Sequence, residues 1–292
     1  MAEKLKYFVN GQFRESKTDK WYDLHNPSTG EITGQAPCCT NDEVLEAIAA
    51  AKAAYPGWSA TPAIKRAQIL YRVRELIMER MDELTMSVAK ENGKVWAESE
   101  GDVLKAKEGT ELATQVPSLM MGESIMDASR GYDTVKYREP LGVFAGIVPV
   151  NFPAMIPFGW MAPTCIATGN TLVLKAASLT PKTAMLFAQL YKDAGVPDGV
   201  INVVTCSRNE INTILEHPDV KGITFVGSTP VGLKIYEKAA ANGKRCQALC
   251  QAKNHALVME DCALERTVAG VINSAFGCAG QRCMALSCCV VE

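Results

Sequence analysis

The chain has 292 residues, 48% of them apolar and 21% charged, with a formal net charge of −2. That length suits one large domain or two ordinary ones with a substantial core, and so balanced a charge offers no electrostatic footprint for nucleic acid or an anionic membrane. The opening residues, MAEKLKYFVNGQF, lack the apolar stretch of a signal peptide, and no segment approaches 18 uninterrupted apolar residues, so neither secretion nor a membrane span is expected.

Residues 7–35 hold YFVNGQF and NPSTGE, turn signals between apolar runs that predict a short hairpin. TNDEVLEAIAAAKAAYPGWSA predicts a helix capped by Thr40 or Asn41, with Val44, Ile48 and Ala51 at helical spacing and Pro56-Gly57 as its stop. Residues 62–92 predict further helix, broken at Asn92-Gly93, and SEGDVLKAKEGTELATQV another, ended near Pro117. The alternation in YDTVKYRE predicts paired strands within 121–140.

From residue 141 the rhythm changes. LGVFAGIVP is a continuous apolar run, as in a strand buried on both faces. Helical MIPFGWMAPTCIATG follows, then strand TLVLKA, helix TPKTAMLFAQLYKDAG, strand GVINVVT, helix NEINTILEHP, strand GITFVGS and helix TPVGLKIYEKAAANG. Strand HALVMED and helix ALERTVAGVINSAFG come next, and LSCCVV reads as a last strand with Cys288 and Cys289 on opposite sides. The alternation predicts an α/β fold, a doubly wound parallel sheet with helices on both faces.

Eleven cysteines without a secretion signal point to a reducing, cytoplasmic setting, free thiols, and mostly small buried side chains. Three histidines and no paired CxxC spacing leave no metal site expected. Four stretches carry possible chemistry. FVGSTPVG runs from a strand through Gly227-Ser228 into a helix, whose N-terminus offers free N–H groups to a phosphate; an ordinary turn with Ser228 or Thr229 as cap is the plain alternative. TLVLKAAS sets Lys175 and Ser178 at the end of a buried strand, where ligands sit in doubly wound sheets. GIVPVNFP holds Asn151 between prolines, either an oxyanion donor or a turn residue bonding its own backbone. FGCAGQRCM puts Cys283 beside Arg282, a cation that favours the thiolate, unless the thiol is merely packed and the charge merely superficial.

VPVNFP, TLVLKAASLTP, HPDVKGITFVGSTPVG and FGCAGQRC, in this order and spacing, resemble the aldehyde dehydrogenase superfamily, from FVNGQF to the last residue. SLMMGES, VNFPAMIPF, AKNHALVM and CMALS are most similar to its CoA-acylating methylmalonate-semialdehyde dehydrogenases. The resemblance implies that Cys283 is the nucleophile, passing through a thiohemiacetal and a thioester, with the Asn151 amide and the Cys283 N–H holding the oxyanion. By the same match Val148, Val150, Lys175, Ser178, Gly227 and Ser228 contact the cofactor, NAD with NADP admitted. Arg282 and Lys105 match two substrate-binding arginines, and lysine at 105 keeps the charge without the bidentate fork. The implied partners are a small aldehyde and CoA, and a homodimer or homotetramer built through a hairpin at 121–143. That hairpin would interrupt a dinucleotide-binding domain of residues 1–120 and 144–259, with 260–292 opening a catalytic domain.

Departures from the pattern bear on the chemistry. The glutamate that activates water in hydrolytic members falls, by the family spacing, on Leu249 in LCQAK. Water needs such a base, whereas a thiol near neutral pH already holds some thiolate, so an acyl-CoA product is expected. A glutamate of the cofactor site is replaced by Ser178, which removes a repulsion from a 2′-phosphate. Gln251 and Cys206 stand at family glycine positions. Glu292 lies nine residues beyond Cys283, and the resemblance implies a longer chain, with much of the catalytic domain expected beyond it. A hydrolytic enzyme using another base, and a catalytically inactive dinucleotide-binding fragment, are the other readings the sequence leaves open.

Overall fold

A computed structural model describes residues 3–292. Two antiparallel hairpins open the chain, β1 (Tyr7–Val9) with β2 (Gln12–Arg14) across the Asn10-Gly11 turn, and β3 (Trp21–His25) with β4 (Ile32–Pro37). The single hairpin expected there is therefore two.

Helix α1 (Asn41–Ala60) starts on a capping box in which Thr40 and Glu43 satisfy each other's backbone N–H. It does not stop at Pro56-Gly57. Its last turn is held by Trp58, buried, with Nε1 donating to Ile166 O at 2.9 Å. The helical stretch expected over 62–92 is α2 (Ala63–Glu79) and α3 (Met81–Asn92), parted where Arg80 leaves helical geometry at φ −109°, ψ 21°. Then come α4 (Trp96–Ala113), the single turn α5 (Val116–Leu119), and a hairpin of β5 (Glu123–Ser129) and β6 (Tyr132–Lys136), every residue of which is exposed.

The β/α alternation follows as expected: β7 (Val143–Ile147), a π-helical turn (Ile156–Met161) running into α6 (Ala162–Ala167), β8 (Thr171–Lys175), α7 (Lys182–Asp193), β9 (Ile201–Val204), α8 (Arg208–Glu216), β10 (Val220–Val226) and α9 (Thr229–Ala241). One strand, β11 (Arg245–Leu249), was not anticipated; RCQAL has no β-branched or aromatic residue to signal it. These strands make a seven-stranded sheet in the order β11-β10-β7-β8-β9-β1-β2. Five are parallel, and the β1–β2 hairpin adds an antiparallel edge.

Period-two alternation divides the core. Leu172, Leu174, Ile201 and Val203 face a layer with α2, α3, α4, α6 and α7, while Val173, Val204, Ala145 and Ile147 face α1, α8 and α9. At about 25 cal/mol per Å² of apolar area, each such buried leucine, isoleucine or valine stabilises the fold by roughly 1.5–3 kcal/mol. Where α4 crosses the π turn, a Cβ on Gly109 would lie 2.0 Å from Gly159 O, so this approach requires glycine.

The main sheet ends at β11. β12 (Asn254–Val258) pairs instead with β13 (Leu286–Val291) in a separate parallel sheet, with α10 (Leu264–Phe276) between them in sequence. β12 is thus the first strand outside the main sheet. Among the described residues no helix is long and apolar enough to cross a membrane. All eleven cysteines are free, but only Cys38, Cys39, Cys206 and Cys278 are fully buried, so the expectation that most are core residues does not hold.

Candidate active site

In the order β11-β10-β7-β8-β9 the chain turns back on itself at β7: β8 and β9 extend to one side and β10 and β11 to the other. The crevice at the carboxyl ends of β7 and β10 is therefore the topological switch point, where ligands bind in open α/β sheets. A cavity of about 530 Å³ sits there, lined among others by Val150, Asn151, Gly227, Ser228, Arg282 and Cys283. The fold thus brings together residues as far apart in sequence as Asn151 and Cys283. Gly227 contributes for a reason other than ligand approach: a Cβ there would meet the Phe225 ring at 2.5 Å. Ser228 precedes α9 but makes no side-chain capping bond, which leaves its hydroxyl to the cavity.

The loop carrying Asn151 is fixed from below by a buried ion pair. Lys94 Nζ lies 3.2 Å from Asp102 Oδ2, both side chains fully buried, and 3.8 Å from the centre of the Phe152 ring. Asp102 Oδ1 accepts from Met155 N at 2.7 Å, and Asn92 Nδ2 donates to Val150 O at 2.9 Å. Burial pushes the Asp102 carboxyl up even though Lys94 opposes that shift.

The Cys283 loop is fixed from α4. Glu98 Oε1 accepts from Cys278 N at 2.7 Å and pairs with Arg282 Nη2 at 3.5 Å. Arg282 Nε also donates to Cys278 Sγ at 3.1 Å, which with Glu98 holds the guanidinium above its ordinary pKa. Cys278, Ala279 and Gly280 all have positive φ (54°, 55° and 68°), two of them non-glycine, a strained path that lifts the chain toward Cys283. The Cys283 thiol is exposed. Asn151 Nδ2 donates to Gln281 O at 2.6 Å, two residues before it. An amide has two N–H bonds, so one remains for an oxyanion on the substrate.

Lys105 is not in this cavity. On α4 its ammonium bonds Glu108 Oε2 at 2.6 Å, one turn away, beside Gly159 and Trp160 in a separate cavity of about 520 Å³. The two expected substrate cations are thus each paired with a carboxylate and lie apart. Val148 is buried, and Ser178 is half-buried and outside the lining of both cavities. Sequence reasoning missed Glu98, Lys94, Asp102 and Asn92; their roles rest on contacts across 8 to 180 residues that no local motif signals. It also missed Cys250, a second thiol in the cavity beside Gln251.

Lys175 lies at the rim of a third cavity, about 830 Å³, between α8 and α9 and lined also by Ile147 and Cys206. Burial lowers the Lys175 pKa and drives that of Cys206 up to about 12, so Cys206 is an inert thiol. The two cavities flank the ends of β7 and β10 and offer an extended ligand a cationic end and a thiol end. The structure thus sets an exposed thiol and a side-chain amide in one cavity at the switch point of an open α/β sheet, beside a helix N-terminus.

Residues 13–292 match the aldehyde dehydrogenase family, and the chain belongs to it. It is 45% identical over 287 residues to the mitochondrial acylating methylmalonate-semialdehyde/malonate-semialdehyde dehydrogenase of Rattus norvegicus, covering 98% of this chain and 54% of the relative. The crystal structure of methylmalonate-semialdehyde dehydrogenase from Oceanimonas doudoroffii superposes with a TM-score of 0.96 at 40% identity, covering all of this chain and 59% of the other. A Sinorhizobium meliloti structure in complex with NAD gives 0.96 at 36% identity, with the same coverage. The chain spans little more than half the length of these relatives.

Proposed function

We propose that the chain carries the cofactor-binding and nucleophilic part of an NAD(P)-dependent, CoA-acylating dehydrogenase of malonate or methylmalonate semialdehyde. The observation that carries this reading is the lining of the Cys283 cavity. Among the described residues lining it there is no aspartate, glutamate or histidine, and Leu249 fills the position of the hydrolytic base. Without a base, water is a poor nucleophile, whereas CoA brings a thiol with a pKa of about 8.5.

Cys283 thiolate adds to the aldehyde carbon, and the free amide hydrogen of Asn151 with the Cys283 N–H holds the resulting oxyanion. A bound nicotinamide would supply the hydride acceptor, and the carbon held on Cys283, having lost its hydride, would remain there as an acyl thioester. CoA thiolate then attacks the acyl carbon and expels Cys283 thiolate, giving acyl-CoA. Val150, Gly227 and Ser228 line the cavity where the nicotinamide end fits, and Lys175 the one where the adenosine end fits. Arg282 receives the substrate carboxylate by exchange with Glu98, while Lys105 does so only if Glu108 releases it. The exposed β5–β6 hairpin, with Ile125, Met126 and Tyr132 uncovered, is the surface through which copies assemble as a dimer or tetramer. The free thiols fit a reducing compartment such as the cytoplasm.

A second reading, cofactor binding without turnover, draws on α10, where no residue is buried and Leu264, Val268, Ile272 and Phe276 are uncovered. One assay separates them. With malonate semialdehyde and cofactor, reduced cofactor should form to at most one equivalent of the chain without CoA, and should accumulate steadily, together with an acyl-CoA product, only when CoA is present. Equal steady rates without CoA would reject the acylating reading, and cofactor binding with no product under either condition would establish the second.

A further inference from the structure

Sites that take NAD place a carboxylate on the adenosine ribose hydroxyls; sites that take NADP place an arginine there for the 2′-phosphate. The cavity between α8 and α9 follows the second pattern. It is lined by Lys175 from the end of β8, Arg208 from the first turn of α8, and Lys234 and Lys238 from α9, against a single carboxylate, Glu237. Lys238 is engaged, bonding Glu216 Oε1 at 2.6 Å and Asn212 Oδ1 at 3.0 Å. Among the described residues Lys175, Arg208 and Lys234 form no ion pair.

The nearest acid of α8, Glu210, is committed elsewhere. Its Oε2 accepts from Ser207 N at 2.9 Å and from Ser207 Oγ at 2.6 Å in the capping box, and it lines a different cleft with Tyr22 and Cys38. Three cations without partners around a cavity of this size call for an anion of more than one charge. Lys175 is half-buried, and its desolvation is relieved when an anion arrives.

We infer that Arg208, with Lys175 across the cavity, binds the 2′-phosphate of a phosphorylated dinucleotide, so that NADP is the preferred cofactor. This rests on the dinucleotide reading above. The guanidinium presents a planar fork to the phosphate oxygens. Ser178, at the position where the resemblance expects a glutamate, adds no opposing charge.

The test is direct binding to the whole chain, without turnover. NADPH and NADH are titrated by their own fluorescence, and adenosine 2′,5′-bisphosphate and 5′-AMP by calorimetry. NADPH should bind about tenfold or more tighter than NADH. Arg208→Ala should weaken NADPH and the bisphosphate about tenfold to a hundredfold and leave NADH and AMP within about twofold. Arg208→Lys should fall between. Arg208 is an exposed side chain, and a melting curve for each variant shows that it folds. An unchanged NADPH affinity in Arg208→Ala, or equal loss for both cofactors, overturns the inference. Binding of neither cofactor by a folded chain overturns the dinucleotide reading itself, a distinct outcome.

Discussion

Replacing Lys94 by methionine tests how the Asn151 loop is held. The change keeps the bulk of the side chain but leaves Asp102 in the interior without its counter-charge, although Oδ1 still accepts from Met155 N. Removing one partner of a buried pair costs about 3–5 kcal/mol, far more than the net contribution of the intact pair. The Phe152 contact is lost as well, a smaller effect. Burial already raises the Asp102 pKa, and without Lys94 it rises further, so the cost should shrink as the pH falls and Asp102 takes up a proton. The double variant Lys94→Met, Asp102→Asn removes the stranded charge and keeps an acceptor for Met155 N. It should recover to within about 1–2 kcal/mol of the parent. Urea unfolding followed by tryptophan fluorescence measures all three proteins. A single variant that loses less than about 1 kcal/mol, or a double variant no more stable than the single, would refute the reasoning.

Phe158 and Phe187 stack at 4.6 Å and 10° in the layer shared by α7 and the π turn, with Tyr191 at 5.6 Å from Phe158; Phe187→Ala should cost about 3–5 kcal/mol in the same assay. Burial raises the Glu91 pKa from its ordinary 4.5 to about 7, although Thr183 N and Thr183 Oγ1 donate to it. The folded chain therefore binds a proton more tightly than the unfolded one between pH 4.5 and 7. Stability from this source is complete below pH 4.5 and is lost as the pH rises through about 7. Relative to Glu91→Gln, the parent should lose roughly 3 kcal/mol over that range, an order-of-magnitude figure; parallel pH profiles for the two proteins would contradict it.

The alternation of strand and helix after residue 141 was legible because parallel strands are buried on both faces and helices keep a different period. The hairpin at 123–136 was legible from its alternation. What escaped was set by distant partners. Pro56 reads as a stop until Trp58 is seen anchored to Ile166. RCQAL becomes a strand only because β10 offers it an edge. Cys283 and Asn151 could be named from motifs, and the fold places both in one cavity. Lys105 could be aligned but not aimed: its nearest opposite charge is Glu108, on its own helix. The Glu98–Arg282 pair joins residues too far apart in sequence for any spacing rule to connect.

The central claim is that an acyl group on Cys283 leaves to CoA and not to water. Intact-protein mass spectrometry after mixing with malonate semialdehyde and oxidised cofactor reads this directly. A thioester adduct should form, map to Cys283, be absent in Cys283→Ala, persist in buffer, and discharge on addition of CoA with an acyl-CoA appearing. An adduct that decays at the same rate with and without CoA, releasing the free acid, would contradict the account.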